Sequence, residues 1–289
     1  MIDSPSLPGS AIGACVPVVL PRLPPDERGT QPMKLPEIQA ALASAMIETR
    51  YQPIVRLADR TPVGFEALAR LNHPARGTVL PEAFIPQIED AGLGGQLTDL
   101  VITCAFADMT GPYLAPLGLS MSLNFPLDVL LGTDALARLE DQRQAAGIAV
   151  GRVIIELTET QPVRDLAALR GAVERVRCAG YQVVIDDVGP AVAGLDALLD
   201  LPFTGIKLDK ELVLRLEAAP DVLAAVERAI GSAKSRGLTV VAEGIEHIAL
   251  WHRLHALGVD QAQGFLVAHP LPAVAVPVWL KSWQEVPGF

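Results

Sequence analysis

The stretch YQPIVRLADRTPVGFEALAR runs from Tyr51 to Arg70. It holds two β-prone runs, 51–57 and 61–70, with only a turn between them. A parallel pair needs a crossover of a dozen residues or more, so these two strands are expected to pair antiparallel, as a hairpin. Alternation along the second run puts Phe65, Ala67 and Ala69 on one face and Glu66, Leu68 and Arg70 on the other. A carboxylate and a guanidinium thus share one face of an apolar strand. Either they form a salt bridge, or the face holds a site that takes both a cation and an anion.

Working outward, LPEIQAALASAMIETR (35–50) has helical spacing and reads as an entry helix. After the hairpin, strands and helices alternate. Strands are expected at 119–125, 153–159, 181–188, 205–209, 239–245 and 262–268. Helical patterns fall at 81–92, 96–109, up to about 146, 164–180, 194–201, 220–236 and 247–259, with a last one closing the chain. Eight strands with helices between all but the first pair imply an α/β fold, a closed (β/α)8 TIM-like barrel whose first strand is antiparallel.

Composition fits one such domain. Of 289 residues, half are hydrophobic and 19% are charged, which supports a large core and argues against global disorder. A net charge of -10 discourages non-specific binding to nucleic acid or to an anionic membrane surface. No apolar stretch reaches the ~18–20 residues that span a bilayer. Cys15, Cys104 and Cys178 are scattered, so neither a disulfide framework nor a zinc site is expected, and a reducing cytoplasm fits. Residues 1–33 are rich in proline and read as a poorly ordered leader to a domain spanning 34–289.

Polar residues gather near the ends of the apolar strands. They are Glu66, Asn124, Glu156, Glu159, Asp186, Asp187, Lys207 and Glu243, with Gln263 just inside the start of the last strand. Barrel enzymes place their chemistry at that mouth. Glu66, Glu156, Asp186, Asp187 and Glu243 would repel one another there, and ionising all of them calls for cations. An all-oxygen donor set favours Mg²⁺ or Mn²⁺ over zinc or copper. Taken singly, each residue has a plainer role: a helix cap for one Asp, a salt bridge for Lys207, backbone contacts for Gln263. His73 and His247 read as structural or exposed.

The motifs YQPIV, EALARLNHP, PEAFIPQIEDAGL, SLNFP, ELTET, IDDVG, GIKLDKELV, VVAEGIEH and QGFLVAHPLP stand in one order and spacing over about 35–285. In this the chain resembles the EAL-domain family of bacterial cyclic di-GMP phosphodiesterases. The resemblance implies a (β/α)8 barrel with an antiparallel first strand and metal-dependent opening of cyclic di-GMP to linear pGpG. Glu66, Asn124, Glu156 and Asp186 would bind one Mg²⁺ or Mn²⁺. Asp187, with Asp186 shared, would help hold a second, and Glu243 lies close to both. Ca²⁺ would inhibit. Lys207 would orient or deprotonate the attacking water. Arg70 would grip a phosphate, Leu68 would lie under a guanine, and Gln52 and Gln263 would help to position the substrate. Glu159 would anchor the loop after Asp187. The family also implies a homodimer acting in the cytoplasm under a regulatory protein partner.

One loop departs from the family pattern. Where active members read DDFGTGYSSL, this chain reads DDVGPAVAGL (186–195). Pro190 stiffens the backbone and removes an N–H, and the usual hydroxyl partners of Glu159 are absent. Weak or conditional hydrolysis is therefore expected. The competing expectation is a catalytically poor cyclic di-GMP receptor.

Overall fold

The hairpin forms, and it is longer than the sequence pattern indicates. In the computed structural model, which describes residues 32–44, 46–158, 165–189, 195–216 and 220–286, β1 (Ile47–Arg56) and β2 (Pro62–His73) pair antiparallel from Ile47↔Leu71 to Val55↔Pro62. Between them the chain reverses in a tight loop. Arg56 N donates to Thr61 O at 2.8 Å, Asp59 Oδ1 accepts from Thr61 N, and Arg60 takes a positive φ of 61°.

A short strand, β3 (Gly77–Val79), pairs antiparallel with β2 beyond the barrel. Then β4 (Ser120–Pro126), β5 (Val153–Thr158), β6 (Gln182–Val188), β7 (Gly205–Leu208), β8 (Thr239–Ala242) and β9 (Gln261–Ala262) follow, each parallel to its neighbour from β2 onward. β1 closes the ring by pairing antiparallel with both β2 and β9. The result is the expected eight-stranded barrel with its first strand reversed. Helices wrap it, including Gly94–Thr110, Leu166–Cys178 and Pro220–Ser235.

The core lies in the shell between barrel and helices. On β1, Ile47, Thr49 and Tyr51 face it, and Tyr51 Oη donates to Asp108 in the helix Gly94–Thr110 at 2.6 Å. On β2, Phe65 and Ala67 do the same. The alternate residues face the barrel axis.

Two expectations about elements need correction. The entry helix is only Leu35–Leu42, and residues 47–50 belong to β1. β-branched Ile47 and Thr49 alternate with polar residues there, and a buried edge to pair with outweighs helical spacing. The expected strand 262–268 is paired only at Gln261–Ala262. Its continuation turns, with Val267 N and Ala268 N both donating to Gly264 O. Gly264 packs directly on the Ile245 backbone, where a Cβ would stand 2.2 Å from Ile245 N. Residues 1–31 of the expected leader, Glu159 and positions 190–194 of the altered loop lie outside the described residues.

Candidate active site

Lys207 on β7 is the hub of the barrel mouth. It is 1% exposed, and its Nζ lies 2.9 Å from Glu156 Oε2 on β5, 3.1 Å from Asp186 Oδ1 on β6, 3.2 Å from Glu66 Oε2 on β2 and 2.5 Å from Glu243 Oε1 just past β8. Strand register delivers these side chains: Asn124 stands beside Glu156 across the parallel β4–β5 pair, and Gln52 stands opposite Glu66 across the antiparallel β1–β2 pair. Asn124 Nδ2 donates to Glu66 Oε1 at 2.8 Å. Gln263 Nε2 donates to Glu66 Oε2 at 2.6 Å and to Gln52 Oε1 at 3.0 Å. Gln52 in turn donates to Ala268 O.

Asp186 and Asp187 are adjacent, and adjacent residues of a regular strand point to opposite faces. Here the β6–β7 register breaks between Ile185 and Val188, and Asp187 adopts a left-handed φ of 53°. A bulge of this kind re-aims side chains, and a non-glycine residue held at positive φ stores strain. Both carboxylates consequently reach the mouth. Two groups of three result, Glu66–Glu156–Asp186 and Asp186–Asp187–Glu243, each with ligand oxygens within 4.8 Å of one another. Asp186 belongs to both.

The charges do not balance within the protein. At such separations two ionised carboxylates repel by roughly 3–4 kcal/mol at an effective dielectric of 20. Five carboxylates face one ammonium, which leaves four negative charges when all are ionised. Burial is the first cause that pushes the Glu156 carboxyl up to about 8, with the neighbouring charges of Glu66 and Asp186 adding to it. Asp186 and Glu243 rise for the same reasons. Asp187 stands at the rim. Desolvation of its carboxyl and then the charge of Asp186 push it to about 6. Glu66 moves the other way. Its burial is outweighed by Lys207 and by the hydrogen bonds from Asn124 and Gln263, which hold it below the ordinary range. Lys207 is held as an ammonium well above its usual range, because the surrounding carboxylates overcome its desolvation.

The donor set fits divalent cations. Every side chain offered is an oxygen donor apart from Lys207. Two buried oxygens, Asn124 Oδ1 and Gln263 Oε1, have no hydrogen-bond donor, although each residue's amide nitrogen is engaged. A buried acceptor without a donor is costly, and a cation relieves that cost. Two divalent ions would also cancel the four excess charges.

Leu68 and Arg70 lie on the same face of β2 as Glu66, further toward the mouth. Four residues of strand carry Arg70 about 13 Å beyond Glu66. Arg70 does not pair with Glu66: its Nη1 donates to Ala69 O at 2.7 Å, whereas Glu66 pairs with Lys207. Of the plainer roles weighed from sequence, the salt bridge of Lys207 is present, made to four carboxylates at once, whereas the helix caps fall on other residues. Asp209 is the cap, accepting from Leu212 N, and His247 Nδ1 caps the helix Ile248–Ala256. Glu48 and Arg50, which sequence reading placed in a helix, line the same rim from β1. Their alternation with Gln52 was the signal available.

Residues 36–270 match the family model of the EAL domain. The chain is 31% identical over 231 residues to the Pseudomonas aeruginosa cyclic di-GMP phosphodiesterase PA2567, covering 80% of this chain and 39% of that protein. It is 32% identical over 268 residues to protein y4lL of Sinorhizobium fredii, covering 92% of this chain and 32% of that one. The chain thus spans about a third of the length of these curated relatives. Among solved structures, the PaMucR phosphodiesterase in complex with c-di-GMP superposes with a TM-score of 0.78 at 28% identity, over 84% of this chain and 98% of that one. With fold, mouth geometry and family match in agreement, this chain belongs to the EAL-domain family.

Proposed function

We propose that the protein hydrolyses cyclic di-GMP to linear pGpG at the Lys207 cluster, using Mg²⁺ or Mn²⁺. The observation that supports this most is the pair of three-carboxylate groups sharing Asp186. Three relatives of similar sequence are named cyclic di-GMP phosphodiesterases. When bound, two divalent cations supply a nucleophilic hydroxide at neutral pH and stabilise charge on the attacking and leaving oxygens.

The chain's own residues do the rest. Glu66, Asn124, Glu156 and Asp186 would hold one cation; Asp186, Asp187 and Glu243 would hold the other. Lys207 would orient or deprotonate the attacking water. Gln263 and Gln52 fix the Glu66 carboxylate and border the substrate. Leu68 offers an apolar platform for a guanine, and the Arg70 fork takes a phosphate above it.

Turnover is slow in this reading. Val188 replaces an aromatic residue, and the 190–194 segment lacks the Tyr-Ser-Ser hydroxyls that the family places near Glu159. Asp187 directly precedes Val188 and lies three residues before that segment, so the second cation is the weaker one. The same substitutions favour the receptor reading, in which the ligand is bound and kept. We take the domain as 34–289 with residues 1–33 as its leader, and the protein as a cytoplasmic homodimer under a regulatory partner. Among the described residues, no helix is long and apolar enough to cross a membrane.

The test is incubation with cyclic di-GMP and Mn²⁺, followed by chromatography. Formation of pGpG that stops on chelation supports hydrolysis. Ligand that binds and returns intact at saturating metal establishes the receptor instead.

A further inference from the structure

We infer that Arg50 reads the base edge of a guanine in the bound cyclic dinucleotide and thereby sets base specificity. This rests on the cluster being a cyclic di-GMP site. Three observations carry it. The β1–β2 register places Arg50 directly opposite Leu68, on the axis-facing side of the hairpin, with Gln52/Glu66 below and Glu48/Arg70 above. Directly opposed residues have Cβ atoms ~4.5–5.5 Å apart. A planar base lying on Leu68 therefore brings its edge to the Arg50 guanidinium.

The guanidinium is also held in place. Its Nη2 donates to Glu48 Oε1 at 2.5 Å, and Asn72 Nδ2 donates to the other oxygen of the same carboxylate. Thr78 Oγ1 donates to Asn72 in turn. Glu48 is thus fixed from two sides and aims the fork. The ion pair is partly open to solvent, with side chains 26% and 31% exposed, so it adds little stability of its own.

Finally, the other N–H groups of Arg50 make no hydrogen bond among the described residues. A second guanidinium, Arg70, stands close enough to feel its charge. Arg50 therefore keeps N–H donors beyond the one that Glu48 takes, with no protein acceptor for them among the described residues. Guanine offers two adjacent acceptors, O6 and N7, that match an arginine fork, whereas adenine puts an N6 amino donor in place of O6. Arg70 and Arg50 then divide the ligand between them, phosphate to one and base to the other.

The test is calorimetric titration of cyclic di-GMP and cyclic di-AMP into the protein in Ca²⁺. Wild type is compared with Arg50→Ala and Arg50→Lys, with thermal melts to show that each variant is folded. A bidentate contact to a base is worth ~1–3 kcal/mol. Both variants should therefore lose about five- to 150-fold in affinity for cyclic di-GMP and little for cyclic di-AMP. Lys does not rescue, because it lacks the fork. Equal losses for both ligands would make Arg50 a phosphate contact and overturn the inference. Unchanged affinity would reduce it to a rim ion pair. If wild type binds no cyclic di-GMP at all, the site reading above fails, and this inference fails with it.

Discussion

Removing divalent metal and raising the pH should destabilise the protein through one cluster. The Glu156 carboxyl stands at about 8 in the native state and near 4.5 when unfolded. Between those values the native state holds a proton that the unfolded chain has released, so stability is full at low pH and falls as pH rises. At 1.36 kcal/mol per pH unit, the loss from pH 5 to pH 8 is roughly 3–4 kcal/mol. Asp186 and Glu243 act in the same direction; Asp187, at the rim, adds less. Glu66 is depressed, so its stabilising contribution is already complete above about pH 5. Lys207 is raised, so its contribution stays complete throughout this window. For a chain of this size, the loss from Glu156 alone should lower the melting point of metal-free protein by roughly 5–7 °C between pH 5 and pH 8. Saturating Mg²⁺ should restore most of the loss at pH 8 and little at pH 5, because protons compete with the metal for the same oxygens. Thermal melts in chelator and in Mg²⁺ across this range measure both effects. Glu156→Gln, which cannot ionise, should flatten the metal-free curve. A metal-free melting point independent of pH, or equal metal stabilisation at both ends, would show that these carboxyls are not raised in the folded protein.

Glu156→Ala and Asp186→Ala should each abolish pGpG formation under saturating metal, and undiminished turnover in both would remove them from the site. Arg70→Ala should weaken cyclic di-GMP binding at least tenfold while leaving the melting point near wild type; affinity within twofold of wild type would make Arg70 structural. Restoring the family loop, with Val188→Phe, Pro190→Thr, Ala191→Gly, Val192→Tyr, Ala193→Ser and Gly194→Ser, should raise kcat with little change in ligand affinity, the mark of an interaction made in the transition state. If wild type already turns over at an ordinary ~1–10³ s⁻¹ at low Mg²⁺ and the restored loop adds nothing, the loop is not limiting. Gly264→Ala should destabilise by about 1–3 kcal/mol or more, since its Cβ would meet the Ile245 backbone, and a melt matching wild type would show that the backbone yields there.

The barrel was legible because each βα unit announces itself: an apolar run, a polar residue near its end, then a helical period. The reversed first strand was legible for a simpler reason, the turn at 57–61 being too short for a crossover. What escaped were places where local pattern and tertiary context disagree. Ile47–Arg50 follows the period of the helix before it, yet pairs as strand, and reading it as helix hid Glu48 and Arg50 from the rim. The last strand reads on through Gly264 because Phe265, Leu266 and Val267 are β-prone, but the close approach to Ile245 turns the chain. In the site, Glu66, Glu156 and Lys207 follow from alternation and strand ends. The reach of both Asp186 and Asp187 does not, since alternation forbids it and only a bulge at a left-handed residue permits it. The roles themselves came from the family resemblance, because strand patterns place carboxylates without saying what they hold.

If the five carboxylates around Lys207 hold two divalent cations, calorimetric titration of Mn²⁺ into metal-free protein at pH 8 should show it, with proton release followed by repeating the titration in buffers of different ionisation enthalpy. One tighter and one weaker site per chain are expected, with release of protons from the raised carboxyls, loss of the weaker site in Asp187→Ala and loss of both in Asp186→Ala. Absence of Mn²⁺ binding, or binding that Asp186→Ala leaves intact, would contradict two-cation binding by this cluster.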